Sequence, residues 1–317
     1  MDKIIESFKN LYKGENVVKQ HIYIALLFYL PCLASTILQF LDKESKKEEV
    51  IIILVSAVIV GFLSIVPVFV LQGLWAKFVN RRFSEAYGIP KLSWDCLSQG
   101  LKMFPLSLVW GLYIGIPCLL YLALVFLGFG LTISSQDPVI IIVAVLGLLL
   151  AVMLLFIPLF LISPFVNMVF MKYCEKFEYS KELFNPLLPF RYMKKAFKDS
   201  IFLALKFILV GMVTGMGAQI ILCLLLMVLA IIAIPVVIIL AMVNEHMFDS
   251  SVWAIPVVML VSVVAIIPAY VRWITNLAYV DNLEEIYVDK FLIEKLGNDN
   301  IPQFFLICYL IELKCFL

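Results

Sequence analysis

The stretch IVPVFVLQGLWAKFVNRR, residues 65–82, is apolar through Pro67 and a single glutamine and then ends on Asn80, Arg81 and Arg82. A run of about 20 apolar residues matches the ~30 Å hydrocarbon core of a bilayer. Basic and aromatic residues are enriched where such a helix leaves the membrane. The stretch therefore predicts a membrane-spanning helix that ends at the membrane surface.

The composition of the whole chain agrees with this prediction. Apolar residues make up 64% of the 317 residues and charged residues 15%, and the mean hydropathy is +1.06. Soluble domains are about half apolar and about a quarter charged. The apolar runs lack period-2 alternation and are longer than the ~10-residue strands of a membrane barrel. The sequence predicts an all-α integral membrane protein, a polytopic bundle of transmembrane helices.

Six apolar runs are long enough to span. The fifth would extend ~66 Å as one straight helix, about twice what the hydrocarbon core requires. Pro235 is the expected break, because a proline inside a helix removes a backbone hydrogen bond and clashes with the preceding turn. Residues 230–243 then form a re-entrant or interfacial piece, a kinked extension or a seventh span. The runs are residues 21–41, 50–79, 103–131, 139–171, 200–243 and 252–281.

The placement of Lys and Arg predicts the orientation. Basic residues are concentrated before the first span, between the second and third spans, and between the fourth and fifth. The alternate connections contain few, and by the positive-inside rule both termini are cytoplasmic, with three short external tips. The seven cysteines form no C-x-x-C pair and are expected to be reduced packing residues.

A three-fold internal repeat is predicted from the even-numbered helices. Each contains a proline, followed 11 or 12 residues later by an aromatic residue and then by a tyrosine at the cytoplasmic exit. The prolines are Pro67, Pro158 and Pro268, and the tyrosines are Tyr87, Tyr179 and Tyr287. The repeats cover residues 1–88, 89–182 and 183–291 of a single transmembrane domain, 1–291. Residues 292–317 form a cytoplasmic tail, with a peripheral helix predicted over 301–317.

A short amphipathic stretch precedes the odd-numbered helix of each repeat. Apolar residues at helical spacing predict helices that lie in the cytoplasmic headgroup layer with the lysines outward. The second helix is expected to start after Ser93 and the third after Asn185, with Pro186 in the first turn. The apolar residues are Ile4, Phe8 and Leu11; Trp94, Leu97, Leu101 and Phe104; and Phe190, Met193 and Phe197.

The opening stretch and the segment GIPKLSWDCLSQGLKMFPLSLVWGLYIGIP, residues 88–117, resemble the uncharacterised prokaryotic membrane proteins grouped as domain of unknown function 4013. The resemblance covers about residues 20–290 and implies a six-helix protein of the prokaryotic cell membrane. It implies no catalytic residue, since the family has no established activity. Gln99 stands where the family usually has an acidic residue. The matching residues are Gln72, Gly73, Leu74, Trp75, Trp94, Gly100, Leu101 and Lys102.

No enzyme chemistry is predicted. The two histidines, His21 and His246, lie near span ends on opposite sides, and no metal-binding, phosphate-binding or paired-aspartate motif is present. The sequence implies no cofactor and no nucleic-acid partner. A serine- or cysteine-based intramembrane hydrolase is the enzyme class that the sequence leaves open.

Polar residues near the cytoplasmic helix ends give the candidate site. Gln72, Asn167 and Asn276 occupy comparable places in the three repeats and are predicted to face a shared polar vestibule, with Arg272 as a contact for an anion or lipid phosphate. The favoured interpretation of Arg272 and Lys206 is that their long side chains extend to the headgroups, and the vestibule is the alternative to it. Two functions remain open, a non-enzymatic lipid-interacting or membrane-assembly protein and a transporter or permease subunit. The few polar residues at mid-membrane favour the first. The expected partner is the bilayer, including anionic headgroups.

Overall fold

The computed structural model of the chain describes residues 2–13, 16–39, 47–81, 88–133, 138–243 and 250–292. All the regular structure in these ranges is helical. The predicted tail helix over 301–317, the tyrosine Tyr87 and most of the external tips lie outside them. The elements are α1 (Asp2–Leu11), α2 (Val17–Leu27), α3 (Tyr29–Gln39), α4 (Lys47–Asn80), α5 (Trp94–Ile133), α6 (Pro138–Cys174), a 3-10 turn (Lys181–Phe184), α7 (Leu188–Val243), α8 (Ser250–Tyr287) and a π-helical turn (Val288–Leu292).

Six helical segments of the described residues are long and apolar enough to cross a membrane, which confirms the predicted number. The first lies within α2 and α3, the next four lie within α4 to α7, and the last runs from α8 into the π-helical turn. The segments are Val17–Ile37, Leu54–Asn80, Trp94–Gly130, Val139–Cys174, Leu188–Val228 and Val261–Leu292. The chain is therefore compatible with a multi-pass membrane protein.

The helices form two compact units. The first contains Met1–Pro105 and Leu205–Tyr279, and the second contains Leu106–Ala204 and Val280–Leu317. The boundaries fall inside α5, α7 and α8 and not between the predicted repeats. The single membrane domain of residues 1–291 and its division into three hairpins stay predictions.

The helix breaks in the structure differ from the prediction in two places. α7 is one helix of 56 residues that continues through Pro235, so the expected break there is wrong. One proline removes a single backbone hydrogen bond, and a long membrane helix tolerates this loss; α4 and α6 likewise continue through their prolines. The first span, in contrast, is interrupted at Phe28. The ring of Pro31 clashes with the carbonyl of residue 27 in a regular helix, which explains why α2 ends at Leu27.

The predicted amphipathic helices are arranged in two ways. α1 is a separate helix, whereas the second and third stretches are the first turns of α5 and α7, with no break before the apolar segment. α5 begins directly after Ser93, as expected. α7 begins at Leu188, and the side-chain oxygen of Asn185 accepts a hydrogen bond from the Leu187 amide at 2.9 Å. Asn185 therefore caps this start, as its residue type predicts.

Within the first unit, α4 and α5 are in backbone contact at two glycines. A Cβ atom on Gly73 would overlap the carbonyl oxygen of Cys96, and one on Gly100 would overlap the carbonyl oxygen of Phe69. Small residues permit this close approach of membrane helices. The rings of Phe69 and Phe104 pack edge to face at 5.4 Å beside the crossing. Both glycines of the family resemblance therefore have a packing role here.

Within the second unit, the connection between α6 and α7 is held by α5. The indole nitrogen of Trp110 donates to the carbonyl of Leu183 at 2.9 Å, and the hydroxyl of Tyr113 donates to the carbonyl of Phe184 at 3.2 Å. Lys172 of α6 also pairs with Glu182 at 2.5 Å. These contacts fix the 3-10 turn from which α7 starts.

Replacing Gly73 or Gly100 by alanine is expected to lower the free energy of unfolding by about 1–3 kcal/mol, because the added methyl group meets backbone atoms that have no rotamer with which to yield. Thermal unfolding of the detergent-solubilised protein measures this effect. Gly61→Ala and Gly111→Ala are the matched controls, since a Cβ atom at either position meets nothing within 4 Å. Equal stability of all four variants would contradict the close crossing.

Candidate functional site

The four predicted vestibule residues are placed differently from one another. Gln72 is half-buried in α4, directly before the Gly73 crossing, and Asn167 is half-buried in α6. Arg272 and Asn276 are exposed and lie one turn apart on the same face of α8. Gln72, Arg272 and Asn276 belong to the first unit and Asn167 to the second. The shared vestibule stays a prediction, and Arg272 and Asn276 are the pair that the fold brings together.

Four hydroxyl groups within the apolar segments of the first unit bond to their own helices. Each of four side chains donates to the carbonyl four residues earlier, over 2.7–2.9 Å. One of these groups also joins two helices, since the hydroxyl oxygens of Thr214 and Thr275 lie 3.3 Å apart. The donated protons are therefore used by the backbone and are not offered to a solute. The four residues are Thr36, Ser64, Thr214 and Thr275.

A histidine cluster connects α1, α2 and α8 within the first unit. The ring of His21 stacks on Tyr12 at 4.5 Å and meets Tyr270 edge-on at 5.9 Å. Its Nε2 lies 3.3 Å from the carbonyl oxygen of Leu11, and its Nδ1 is hydrogen-bonded to the Tyr270 hydroxyl. A carbonyl only accepts, so Nε2 carries a proton, and in the neutral ring Nδ1 accepts from Tyr270.

From the sequence, His21 was weighed only together with His246, for a shared metal or a nucleophile, and its structural role was not predicted. The signal that marks a structural role is a single histidine in the second turn of an apolar helix, close to an aromatic residue of the preceding segment. In the described residues no three His, Cys, Asp or Glu side chains are grouped so that they could hold a metal ion.

A second cluster lies in the second unit, where α6 ends, α7 begins and the chain leaves α8. The buried Tyr287 hydroxyl donates to Glu175, and Tyr192 packs edge-on against the Tyr287 ring at 5.9 Å. Lys290 pairs with Asp199 of α7 at 3.3 Å. Tyr179, the equivalent tyrosine of the preceding predicted repeat, is also in aromatic contacts. Both described exit tyrosines therefore anchor helix ends.

The starts of α5 and α7 expose aromatic residues beside lysines. On α5, Trp94 is 85% exposed, and Leu101 and Phe104 are also on the surface next to the exposed Lys102. The opposite face of this segment is buried through Cys96, Gly100 and Met103. Few aromatic side chains in a water-soluble protein are this exposed, whereas a membrane interface accommodates them.

The first three turns of α7 repeat this pattern. Phe190 and Phe197 are 43% and 45% exposed, and Lys194 and Lys198 are exposed near them. The other face is buried through Tyr192, Ala196 and Ser200. We call Phe190, Lys194, Phe197 and Lys198 the α7 surface.

α1 differs from both, because its apolar face packs on protein. Ile4 and Leu11 are 5% and 1% exposed, and Ser7 between them is buried as well. Of the three stretches that the sequence assigns to the headgroup layer, two therefore present apolar side chains outward.

No known protein family, curated protein or solved structure matches the chain. The class that the fold defines is a helical protein whose six apolar helices are compatible with repeated membrane crossing. The resemblance to the domain of unknown function 4013 stays a prediction.

His21→Ala is expected to loosen α1, because it removes the hydrogen bonds to Leu11 and Tyr270 and the ring that stacks on Tyr12. The loss of two hydrogen bonds of ordinary strength is expected to raise the equilibrium constant for local opening of α1 about tenfold. Hydrogen exchange of residues 2–13 in the solubilised protein measures it. Tyr23→Ala removes an exposed ring from the same helix and serves as control; equal exchange in both variants would show that the cluster does not hold α1.

Proposed function

We propose that the chain is a non-enzymatic, multi-pass integral membrane protein that binds anionic lipid at the cytoplasmic leaflet and serves lipid handling or membrane assembly. The proposal places it in the prokaryotic cell membrane with both termini cytoplasmic, as a relative of the domain of unknown function 4013 proteins. Its six spans form three hairpins, each preceded by an amphipathic segment.

The observation that carries the proposal is the exposed pairing of aromatic and lysine side chains on the α7 surface, which α5 repeats with Trp94, Phe104 and Lys102. An aromatic ring at the headgroup level buries apolar area in the acyl boundary. A lysine there gains about 1 kcal/mol from the negative potential of the cytoplasmic leaflet. The combination is typical of helices that lie at an anionic membrane surface.

The hydroxyl groups within the spans support the choice of lipid binding over transport. A translocation path requires polar groups that coordinate a solute near mid-membrane. The four hydroxyls described above donate to their own helix backbones. No contact in the described residues favours the transporter alternative over the lipid-binding one.

The double variant Lys194→Gln with Lys198→Gln is expected to lower the anionic lipid that co-purifies with the protein by several-fold, because both charges next to the exposed rings are lost. Native mass spectrometry of gently purified protein measures the retained lipid. Lys176→Gln with Lys181→Gln removes two exposed charges from the loop before α7 and is the matched control.

The proposal requires the α7 variant to lose more anionic lipid than the loop variant. Equal losses would mean that retained lipid follows net charge alone. If protein partners co-purify in stoichiometric amounts and only bulk lipid is retained, the result would indicate an assembly role and not lipid binding.

Arg272 gives an independent prediction for the same function. Its side chain is exposed on α8 one turn from Asn276, where the guanidinium can bind a lipid phosphate through paired N–H donors. Arg272→Ala is therefore expected to reduce retention of anionic lipid, and Arg272→Lys to restore it only in part. Unchanged lipid content in a normally folded Arg272→Ala protein rules out this contact.

A further inference from the structure

An open cleft lies where the first membrane span begins. It has a volume of about 590 Å³, which is in the ~300–1,000 Å³ range of sites that hold small molecules. Its lining comes from the end of α1 and the first turns of α2. The lining residues are Tyr12, Asn16, Val17, Val18, Lys19 and Ile22.

We propose that this cleft binds one anionic phospholipid, with the headgroup phosphate on Lys19 and an acyl chain along α2. The inference deepens the proposed lipid binding and rests on it, but it names a separate site in the first unit. Neither the predicted vestibule nor the α7 surface includes any of these residues.

The charge of the cleft fits a phosphate. Among the described residues that line the cleft, Lys19 is the charged one, and its side chain is exposed. The Lys19 ammonium lies 5.7 Å from the centre of the Tyr23 ring, a cation–π contact that orients the group without using its N–H donors.

One wall of the cleft is fixed in place by aromatic stacking. Tyr12 is half-exposed, yet its ring stacks on His21, which is itself bonded to Leu11 and Tyr270. An aromatic ring held in this way presents apolar area at the headgroup level with little loss of conformational entropy on binding. The histidine cluster therefore shapes the cleft, which gives it a role beyond holding α1.

An apolar stripe leads from the cleft into the membrane-spanning part. Val18, Ile22 and Leu26 are 73%, 54% and 57% exposed, and their spacing of four residues places them on one face of α2. The stripe begins beside Lys19 and continues along the span Val17–Ile37. A soluble phosphate compound would use only Lys19, whereas a phospholipid contacts the charge and the stripe together.

The test titrates the purified full-length protein with phosphatidylglycerol or with phosphatidylcholine of the same acyl chains, read by native mass spectrometry. Lys19→Gln is expected to weaken the binding of phosphatidylglycerol about fivefold, the effect of one lysine at an anionic surface. Lys19→Arg should keep the binding. Lys9→Gln removes an exposed charge that does not line the cleft and should leave it unchanged.

The results separate this inference from the proposed function. No preference of the unaltered protein for phosphatidylglycerol would overturn both. A preference that Lys19→Gln leaves intact would overturn the cleft alone, with the lipid bound elsewhere. Equal binding of inorganic phosphate or of the water-soluble headgroup, with displacement of the lipid, would identify a soluble phosphate ligand and overturn the phospholipid.

A second measurement needs no variant. Hydrogen exchange of residues 12–22 is compared for the unaltered protein in phosphatidylcholine nanodiscs with and without phosphatidylglycerol. Slower exchange in the mixed lipid supports the site, and identical exchange counts against it.

Discussion

The helical structure of this chain follows from the inability of hydrocarbon to form hydrogen bonds with a peptide backbone. A chain with apolar segments of this length must satisfy each amide and carbonyl group internally, which only a helix does within one segment. The hydroxyls of the spans obey the same constraint by donating to carbonyls one turn earlier. The constraint explains why the prolines in α4 and α6 do not end those helices, since neighbouring bonds persist on both sides.

The constraint determines the helices but not how they associate. In hydrocarbon, two apolar helices gain little by exchanging lipid contacts for each other, so shape and the few polar groups decide their packing. α4 and α5 approach each other closely at Gly73 and Gly100, because no larger residue fits at either position. The His21 and Tyr287 clusters use hydrogen bonds and stacked rings near the helix ends.

The sequence predicted what depends on local pattern. The six apolar helices follow from run length, and the start of α5 after Ser93 follows from a capping residue. α7 begins at Leu188, later than the predicted first turn at Pro186, although the Asn185 side chain accepts from the Leu187 amide. The break at Pro235 was wrong because proline weakens a helix without requiring its end. The continuity of α5 and α7 through their amphipathic starts was missed because a change of composition is not a change of backbone conformation.

For the candidate site as well, local sequence pattern indicates some features but not the contacts between distant segments. For the third amphipathic stretch, helical spacing predicted an apolar face with Phe190 and Phe197 and lysines turned outward, whereas the structure exposes both residue types together on the α7 surface. The burial of Ile4 and Leu11 was not predicted, since the same amphipathic pattern suits packing on protein or on lipid. His21 and Tyr270 are 249 residues apart, and no local pattern connects positions so distant. Gly73 and Gly100 were identified through a resemblance, but their packing role depends on a contact between two helices.

The length of α7 has a mechanical consequence. At 1.5 Å per residue its 56 residues extend ~84 Å, about twice the ~40–45 Å of a bilayer with its headgroups. A straight helix of this length that crosses a bilayer once either tilts strongly or extends beyond a membrane surface.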